Sequence, residues 1–211
     1  MKVLLLNGSP HEKGCTYTAL AEIASELTLE GVDSRIFWVG RQPVSGCQGC
    51  GGCQKKGRCV LDSGPVNEFV GLAAEADGFI FGSPVHYASA CGTVSSFLDR
   101  VFYSARAAGG QIFYLKPGAA VVSARRAGTT AALDQRNKYF TISQMPVVSS
   151  GYWNNVHGFT PEDVRKDEEG LYVMRVLARN MAWLLKSLEA GRQSGLARPR
   201  TEEPKVTHFI R

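Results

Sequence analysis

The chain has 211 residues, of which 44% are hydrophobic and 20% are charged. This length suits one α/β domain, and the composition excludes wholesale disorder. The net charge is only +5, and no basic helix face alternates with aromatic residues, so we expect no nucleic-acid partner. The longest apolar run near the start, Val3 to Leu6, is too short for a membrane span or a signal peptide. We therefore expect a cytoplasmic protein with no membrane partner.

Short apolar runs alternate with longer amphipathic segments, which is typical of a parallel sheet with crossover helices. The pattern predicts strands over residues 2–6, 34–39, 79–81, 119–122 and 146–148. It predicts helices over residues 16–30, 65–76, 93–103, 129–142 and 171–189. We expect one domain over residues 1–190 with a cysteine-rich loop at 41–63. An extended tail over 191–211 follows, and its apolar end at 209–210 suggests docking on a neighbour.

The segment from Asn7 to Thr18 lies where the first strand ends and the first helix begins. Such a position exposes unpaired backbone N–H groups and the positive end of the helix dipole, which favours a phosphate group. Neither G-x-G-x-x-G nor G-x-x-x-x-G-K-[ST] is present, so a mononucleotide is favoured over a dinucleotide. The alternative is an ordinary strand-to-helix turn.

Four of the six cysteines follow the spacing C-x2-C-x2-C-x5-C, at Cys47, Cys50, Cys53 and Cys59. Without an export signal, this crowding favours metal or redox chemistry over structural disulfides. Three thiolates within seven residues can wrap one face of a cubane iron–sulfur cluster, and the neighbouring glycines allow tight folding. Zinc usually takes two more widely separated cysteine pairs. Zinc, free thiols and a reversible disulfide stay open as alternatives.

Three segments in order resemble one known family. Gly8-Ser9-Pro10 is similar to the phosphate loop of the NADPH-dependent FMN reductase family, which has a flavodoxin-like fold. Residues 82–87, followed by a helix with Asp-Arg at 99–100, resemble the family's Ser-Pro-Val-Tyr loop and the helix after it. Residues 123–128 stand where the family places a Gly-rich loop. The resemblance covers residues 2 to about 150 and implies an α/β three-layer sandwich with a five-stranded parallel sheet in the order 2-1-3-4-5.

The resemblance implies FMN as the cofactor, held by three groups of residues. The phosphate would be bound by Ser9, His11, Cys15, Thr16, Tyr17 and Thr18. The flavin ring would be lined by Pro84, Val85, His86 and Tyr87. Its polar edge would lie against Ser123, Arg125, Arg126 and Gly128, where the two arginines could also steer the phosphates of NADPH. His11 and Cys15 stand where the family usually has Arg and Asn.

The family implies an oxidoreductase that takes hydride from NAD(P)H through FMN and passes electrons to a small-molecule or protein acceptor. No protein side chain is needed as a catalytic acid or base. The cysteine spacing is also that of the iron–sulfur flavoproteins, a branch of this family, which implies a [4Fe-4S] cluster on the four cysteines. A homodimer or homotetramer is expected.

Two alternative functions stay open. The chain could be an electron carrier that uses FMN and a [4Fe-4S] cluster and is served by a redox partner such as ferredoxin. It could also be a non-catalytic metal-binding or redox-sensing protein that uses the cysteine loop alone.

Overall fold

A computed structural model describes residues 1–61, 64–203 and 205–209. Within these ranges the strands are β1 (Lys2–Asn7), β2 (Asp33–Trp38), β3 (Gly78–His86), β4 (Ser89–Ala90), β5 (Gly118–Ala124) and β6 (Asn155–His157). The helices are α1 (Cys15–Leu29), α2 (Gly52–Lys56), α3 (Val66–Ala74), α4 (Gly92–Ala107), α5 (Thr129–Ile142), α6 (Pro161–Val164) and α7 (Glu168–Gln193). The end of the predicted cysteine loop, at 62–63, and the end of the predicted tail, at 210–211, lie outside the described residues.

The sheet has the strand order β2-β1-β3-β5-β6, and all of these neighbours are parallel. The two-residue strand β4 pairs with β3 in antiparallel fashion and lies off this path. The prediction of a parallel α/β sheet is confirmed. When β4 is left out of the count, the other five strands lie in the predicted order 2-1-3-4-5. The count of five strands is wrong because the sheet described here has six.

The predicted fifth strand at 146–148 is also wrong. At the start of β5, Val147 makes only an isolated bridge with Gly118. The chain then leaves the sheet and returns as β6, which pairs with the last three residues of β5. The edge of β5 is therefore paired in two separate places. The apolar run at 146–148 pairs only at the start of β5, and β6 pairs at its end.

The sheet has a hydrophobic core on each face, which gives the predicted three-layer sandwich. Alternate residues of each buried strand face opposite sides. Leu4 and Leu6 contribute to an aromatic-rich core with α3, α4 and α5, whereas Val3 and Leu5 pack with α1 and α7. The apolar stripe of α7 is buried as far as Leu185.

Helices α1 and α7 are further joined by three ion pairs, Glu22–Arg175 (2.5 Å), Glu26–Arg179 (2.6 Å) and Glu30–Lys186 (3.2 Å). Glu26 is almost fully buried, so its pair with Arg179 is the one best shielded from solvent. No helix in the described part of the chain combines the length and apolarity needed to cross a membrane.

The aromatic core depends on Phe69, whose ring centroid lies 5.2 Å from that of Phe37 and 5.3 Å from that of Phe97. We expect Phe69→Ala to lower the free energy of unfolding by about 3–5 kcal/mol, because the substitution leaves a cavity in a closely packed face. Urea denaturation measures this change. Leu29→Ala is the control, since Leu29 is 78% exposed. Equal effects of the two substitutions would contradict this assignment of the core.

Candidate functional site

The first loop comprises residues 8–14 and joins β1 to α1. The buried Asn7 side chain holds both ends of the loop, because Oδ1 accepts the N–H of Ser9 (3.1 Å) and Nδ2 donates to the carbonyl of Glu12 (2.8 Å). Within the loop, Ser9 Oγ accepts the N–H of His11 (3.1 Å). From β2, Trp38 Nε1 donates to the carbonyl of Ser9 (2.8 Å). Hydrogen bonds within the protein therefore fix the shape of the loop.

Helix α1 begins at Cys15 with Gly14 as its N-cap, and no side chain in the described residues caps it. The backbone N–H groups of its first turn are therefore available to an anion. Thr16 is buried, and its Oγ1 shares a hydrogen bond of 2.8 Å with Ser123 Oγ. Thr18 Oγ1 donates to the carbonyl of Gly14 (3.2 Å). Tyr17 is half-buried beside this turn.

The second loop, residues 84–91, forms the hairpin of β3 and β4, in which Val85 pairs with Ala90. Its two-residue turn, Tyr87-Ala88, has positive φ angles of 49° and 58°. Two positive φ angles match a type I′ turn, which usually selects Asn-Gly, so this hairpin carries backbone strain. The Tyr87 side chain is fully exposed, as is much of His86, whereas Pro84 and Val85 are half-buried.

The third loop, residues 125–128, joins β5 to α5. Ser123 before it is buried, whereas Arg125 and Arg126 point to solvent. Gly128 has φ of 89°, and a Cβ there would lie 2.5 Å from Ala88 Cα. The third loop therefore lies directly against the tip of the hairpin, and only glycine fits.

The three loops converge at the carboxyl ends of β1, β3 and β5. The N–H of Gly8 donates to the carbonyl of Gly82 (3.0 Å), which joins the first loop to β3. A Cβ on Gly8 would lie 2.2 Å from Val94 Cγ2, so the loop also packs on α4. The structure thus brings the predicted FMN residues into one region. Ser9, Thr16 and Ser123 are buried in it, and His11, His86, Tyr87, Arg125 and Arg126 are exposed at its rim.

Helix α5 holds the hairpin in place. Gln135 Oε1 accepts hydrogen bonds from Ser89 Oγ (2.9 Å) and from the N–H of Ala90 (3.1 Å). The next residue, Arg136, is buried and donates to Ser95 Oγ of α4 (2.7 Å), and burial lowers its pKa. Helix α5, which is itself bonded to α4, therefore holds the strained turn in position.

A second region, here called the cysteine pocket, is lined by all four clustered cysteines and by three residues of α4, Arg100, Tyr103 and Ser104. Cys47 and Cys50 are exposed, whereas Cys53 and Cys59 are buried. Sequence reasoning placed a loop here and missed α2, which carries Cys53 between two glycines with left-handed φ of 67°. In the described part of the chain, no three His, Cys, Asp or Glu side chains are already arranged as metal ligands.

Two residues that sequence reasoning did not assign hold Cys59. Asn67 Oδ1 accepts the N–H of Cys59 (3.1 Å), and Asn67 Nδ2 donates to the Cys59 carbonyl (2.9 Å). Arg100 is 1% exposed, and its Nε donates to Cys59 Sγ (3.4 Å). In the sequence, Arg100 was distinguished only as the arginine of the Asp-Arg pair at 99–100, in the helix that follows the family-like loop at 82–87.

Helix α4 connects the two regions. At its N-terminus, the N–H of Cys91 donates to Ser83 Oγ (3.2 Å) and to the carbonyl of Pro84 (3.3 Å). Nine residues later, Arg100 lines the cysteine pocket. At 1.5 Å of rise per residue, Cys91 and Arg100 are about 14 Å apart along the helix axis.

The remaining cysteines are separate from the pocket. Cys91 is buried in the core at the N-terminus of α4. Cys15 is half-buried with its Sγ 3.7 Å from the carbonyl of Gly158, and burial raises the pKa of this thiol.

Comparisons with known proteins agree with this architecture. An iron–sulfur flavoprotein of Methanocaldococcus jannaschii is 27% identical over 201 residues, which cover 90% of this chain and 100% of that protein. The crystal structure of RosB with a bound 8-demethyl-8-formylriboflavin-5'-phosphate intermediate has a TM-score of 0.67 at 12% identity and covers 100% of this chain and 92% of RosB. A flavodoxin from the domain Archaea has a TM-score of 0.57 at 16% identity, over 88% of this chain and 99% of the flavodoxin.

The two structural likenesses establish a flavodoxin-like fold. The sequence model of the NADPH-dependent FMN reductase family matches residues 1–160, which include the three converging loops and the cysteine pocket. The chain therefore belongs to the NADPH-dependent FMN reductase family, a family of FMN-binding flavoprotein oxidoreductases.

Proposed function

We propose that this chain is an FMN-dependent oxidoreductase that takes hydride from NAD(P)H and passes the electrons to a small-molecule or protein acceptor. The observation that carries the proposal is the convergence of three loops at the carboxyl edge of the sheet, beside an uncapped helix N-terminus. Ligands of open α/β sheets bind at this edge. Family membership supports FMN as the ligand and a nicotinamide nucleotide as the reductant.

The first loop and the start of α1 would hold the FMN phosphate. The first-turn N–H groups and the hydroxyl of Ser9 are suitable donors, and the Thr16 hydroxyl can donate as well when Ser123 Oγ is the donor of the bond that the two share. His11 and Tyr17 would lie around the phosphate, and Cys15 begins the helix that faces it. Because the Thr18 hydroxyl already donates to Gly14, we assign Thr18 to holding the turn in shape.

The second and third loops would hold the flavin ring. Pro84, Val85, His86 and Tyr87 would line it, and the backbone from Ser123 to Gly128 would meet its polar edge. When bound, FMN supplies the hydride chemistry, and the protein supplies orientation and exclusion of water. The contact between Gly128 and Ala88 fixes the distance between these two loops. Arg125 and Arg126 at the rim are placed to attract the phosphates of the nucleotide.

Homo-oligomer formation and a cytoplasmic location are parts of the same proposal. Tyr87 is fully exposed, and a separate loop carries the exposed neighbours Tyr152 and Trp153, whose ring centroids lie 4.7 Å apart. Exposed aromatic side chains are enriched at protein interfaces, which supports a homodimer or homotetramer.

A second function is favoured by a separate observation, namely that all four clustered cysteines line one pocket. Four cysteine thiolates are the ligand set of a [4Fe-4S] cluster, which transfers single electrons. Cys47, Cys50, Cys53 and Cys59 would bind it, and the Nε–H of Arg100 already donates to one of these sulfurs. The name of the Methanocaldococcus jannaschii relative supports the same group. The chain would then be an iron–sulfur flavoprotein.

The role of the first loop is tested by Thr16→Val. We expect FMN to bind about tenfold more weakly, since one hydrogen bond to a charged group contributes about 1.5 kcal/mol. Quenching of flavin fluorescence during an FMN titration of the apoprotein gives the dissociation constant. Thr28→Val is the matched control, because Thr28 is an exposed threonine on the same helix.

Thr16→Ser separates binding from packing, because serine keeps the hydroxyl. We expect it to bind FMN nearly as the wild type does. An unchanged dissociation constant for Thr16→Val would show that the phosphate lies elsewhere. A wild-type chain that neither binds FMN nor oxidises NADPH or NADH would refute the proposed oxidoreductase and favour a metal-binding or redox-sensing role.

Thiol alkylation tests the cysteine pocket. In iron-free protein at neutral pH, we expect iodoacetamide to modify Cys47 and Cys50 before the buried Cys53 and Cys59. After anaerobic reconstitution with iron and sulfide, all four should be protected, as measured by peptide mass spectrometry. An unchanged rate at Cys47 after reconstitution would contradict cluster binding.

Cys15 is the internal control for this experiment because it lies outside the pocket. Its thiol pKa is raised by burial, so its thiolate fraction is small at neutral pH and increases as the pH rises through the raised pKa. We therefore expect its labelling rate to increase mainly under alkaline conditions. Iron and sulfide should leave that rate unchanged.

A further inference from the structure

We propose that Arg100 is a positioning residue that holds the fourth cysteine in place and raises the reduction potential of the cluster. The proposal rests on the [4Fe-4S] site proposed above. It is based on the position of the buried Arg100 guanidinium, which lies at the side of the cysteine pocket with its Nε–H directed at Cys59 Sγ.

Arg100 is bound to both ends of the cysteine segment. Its Nη1 donates to the carbonyl of Ser45 (3.4 Å), which precedes the first cysteine of the pocket. Its Nη2 donates to the carbonyl of Leu61, which follows the last one. The planar, five-donor guanidinium can make these contacts and the Cys59 contact at the same time. The segment is thereby closed against α4.

Cys59 is the best-held of the four cysteines. Asn67 binds its backbone through both the N–H and the carbonyl, and Arg100 contacts its sulfur. Cys47 and Cys50 are exposed and lie in a segment without regular secondary structure. We infer that Cys59 offers a ligand already in position, and that the exposed cysteines close around the metal afterwards.

A donor to a cluster sulfur also affects the electron equilibrium. Reduction of a thiolate-ligated cluster adds one electron and therefore one negative charge. An N–H···S hydrogen bond and a nearby buried positive charge stabilise the more negative, reduced form. Arg100 supplies both, so its loss should favour the oxidised cluster.

Arg100→Gln removes the charge and the Nε donor, and Arg106→Gln is the matched control. Arg106 lies on the same helix and is exposed. The full-length proteins are reconstituted anaerobically with iron and sulfide. Iron and acid-labile sulfide are then assayed, and the reduction potential is measured by a redox titration followed by electron paramagnetic resonance.

At the wild-type midpoint, we expect Arg100→Gln to have about a tenfold lower ratio of reduced to oxidised cluster. This corresponds to a shift of about 59 mV to lower potential for one electron. We expect Arg106→Gln to keep the wild-type potential and iron content. A fully loaded Arg100→Gln protein with the wild-type potential would overturn the proposal.

Arg100→Lys keeps the experiment decisive if Arg100→Gln fails to fold or to retain iron. Lysine preserves the charge but lacks the planar set of donors. We expect slower iron uptake and a lower ratio of reduced to oxidised cluster than in the wild type. Wild-type loading and potential in Arg100→Lys would refute the positioning role. If the wild-type chain takes up no iron, the cluster proposal itself has failed. If the wild-type chain is loaded with iron and the variants match it, only the proposed role of Arg100 has failed.

Discussion

The close approach of three strand ends determines most of this structure. Gly8 and Gly82 are joined by a backbone hydrogen bond of 3.0 Å, and added Cβ atoms would clash with α4 and α1 respectively. The buried Thr16–Ser123 bond joins α1 to the end of β5, and the contact of Gly128 with Ala88 joins the third loop to the second. Because these contacts tie the loops to one another or to neighbouring elements, the site is preorganised, and little ordering has to accompany ligand binding.

Helix α4 gives the molecule a second level of organisation. Its N-cap residue, Cys91, is bonded to Ser83 of β3, and its residues Arg100, Tyr103 and Ser104 line the cysteine pocket. A rigid helix between the proposed FMN site and the proposed cluster site would keep their separation constant. The arrangement also explains why a buried arginine is acceptable in this helix, since Arg100 has hydrogen-bond acceptors on the cysteine segment around it.

Sequence reasoning was accurate where local pattern determines structure. Continuous apolar runs predicted the buried parallel strands, and the helix at 129–142 was predicted at its observed bounds. It failed for β6, because a three-residue strand that contains Asn155 and His157 has no apolar period. It missed the bond of Trp38 to Ser9 and the Arg100 contacts, because these join segments 29 or more residues apart. The roles of the predicted FMN residues stay predictions.

The pairing of α1 with α7 has a consequence for how the chain is made. The apolar face of α1, with Leu20, Ile23 and Leu27, is covered in part by α7, and the ion pairs between them span about 150 positions. During synthesis from the N-terminus, the part of this face that α7 covers would stay exposed until nearly the whole fold has left the ribosome. Contacts of such long range slow folding and prolong the exposure of apolar surface. The exposed part of α1 is therefore a surface at which the nascent chain can aggregate before α7 is made.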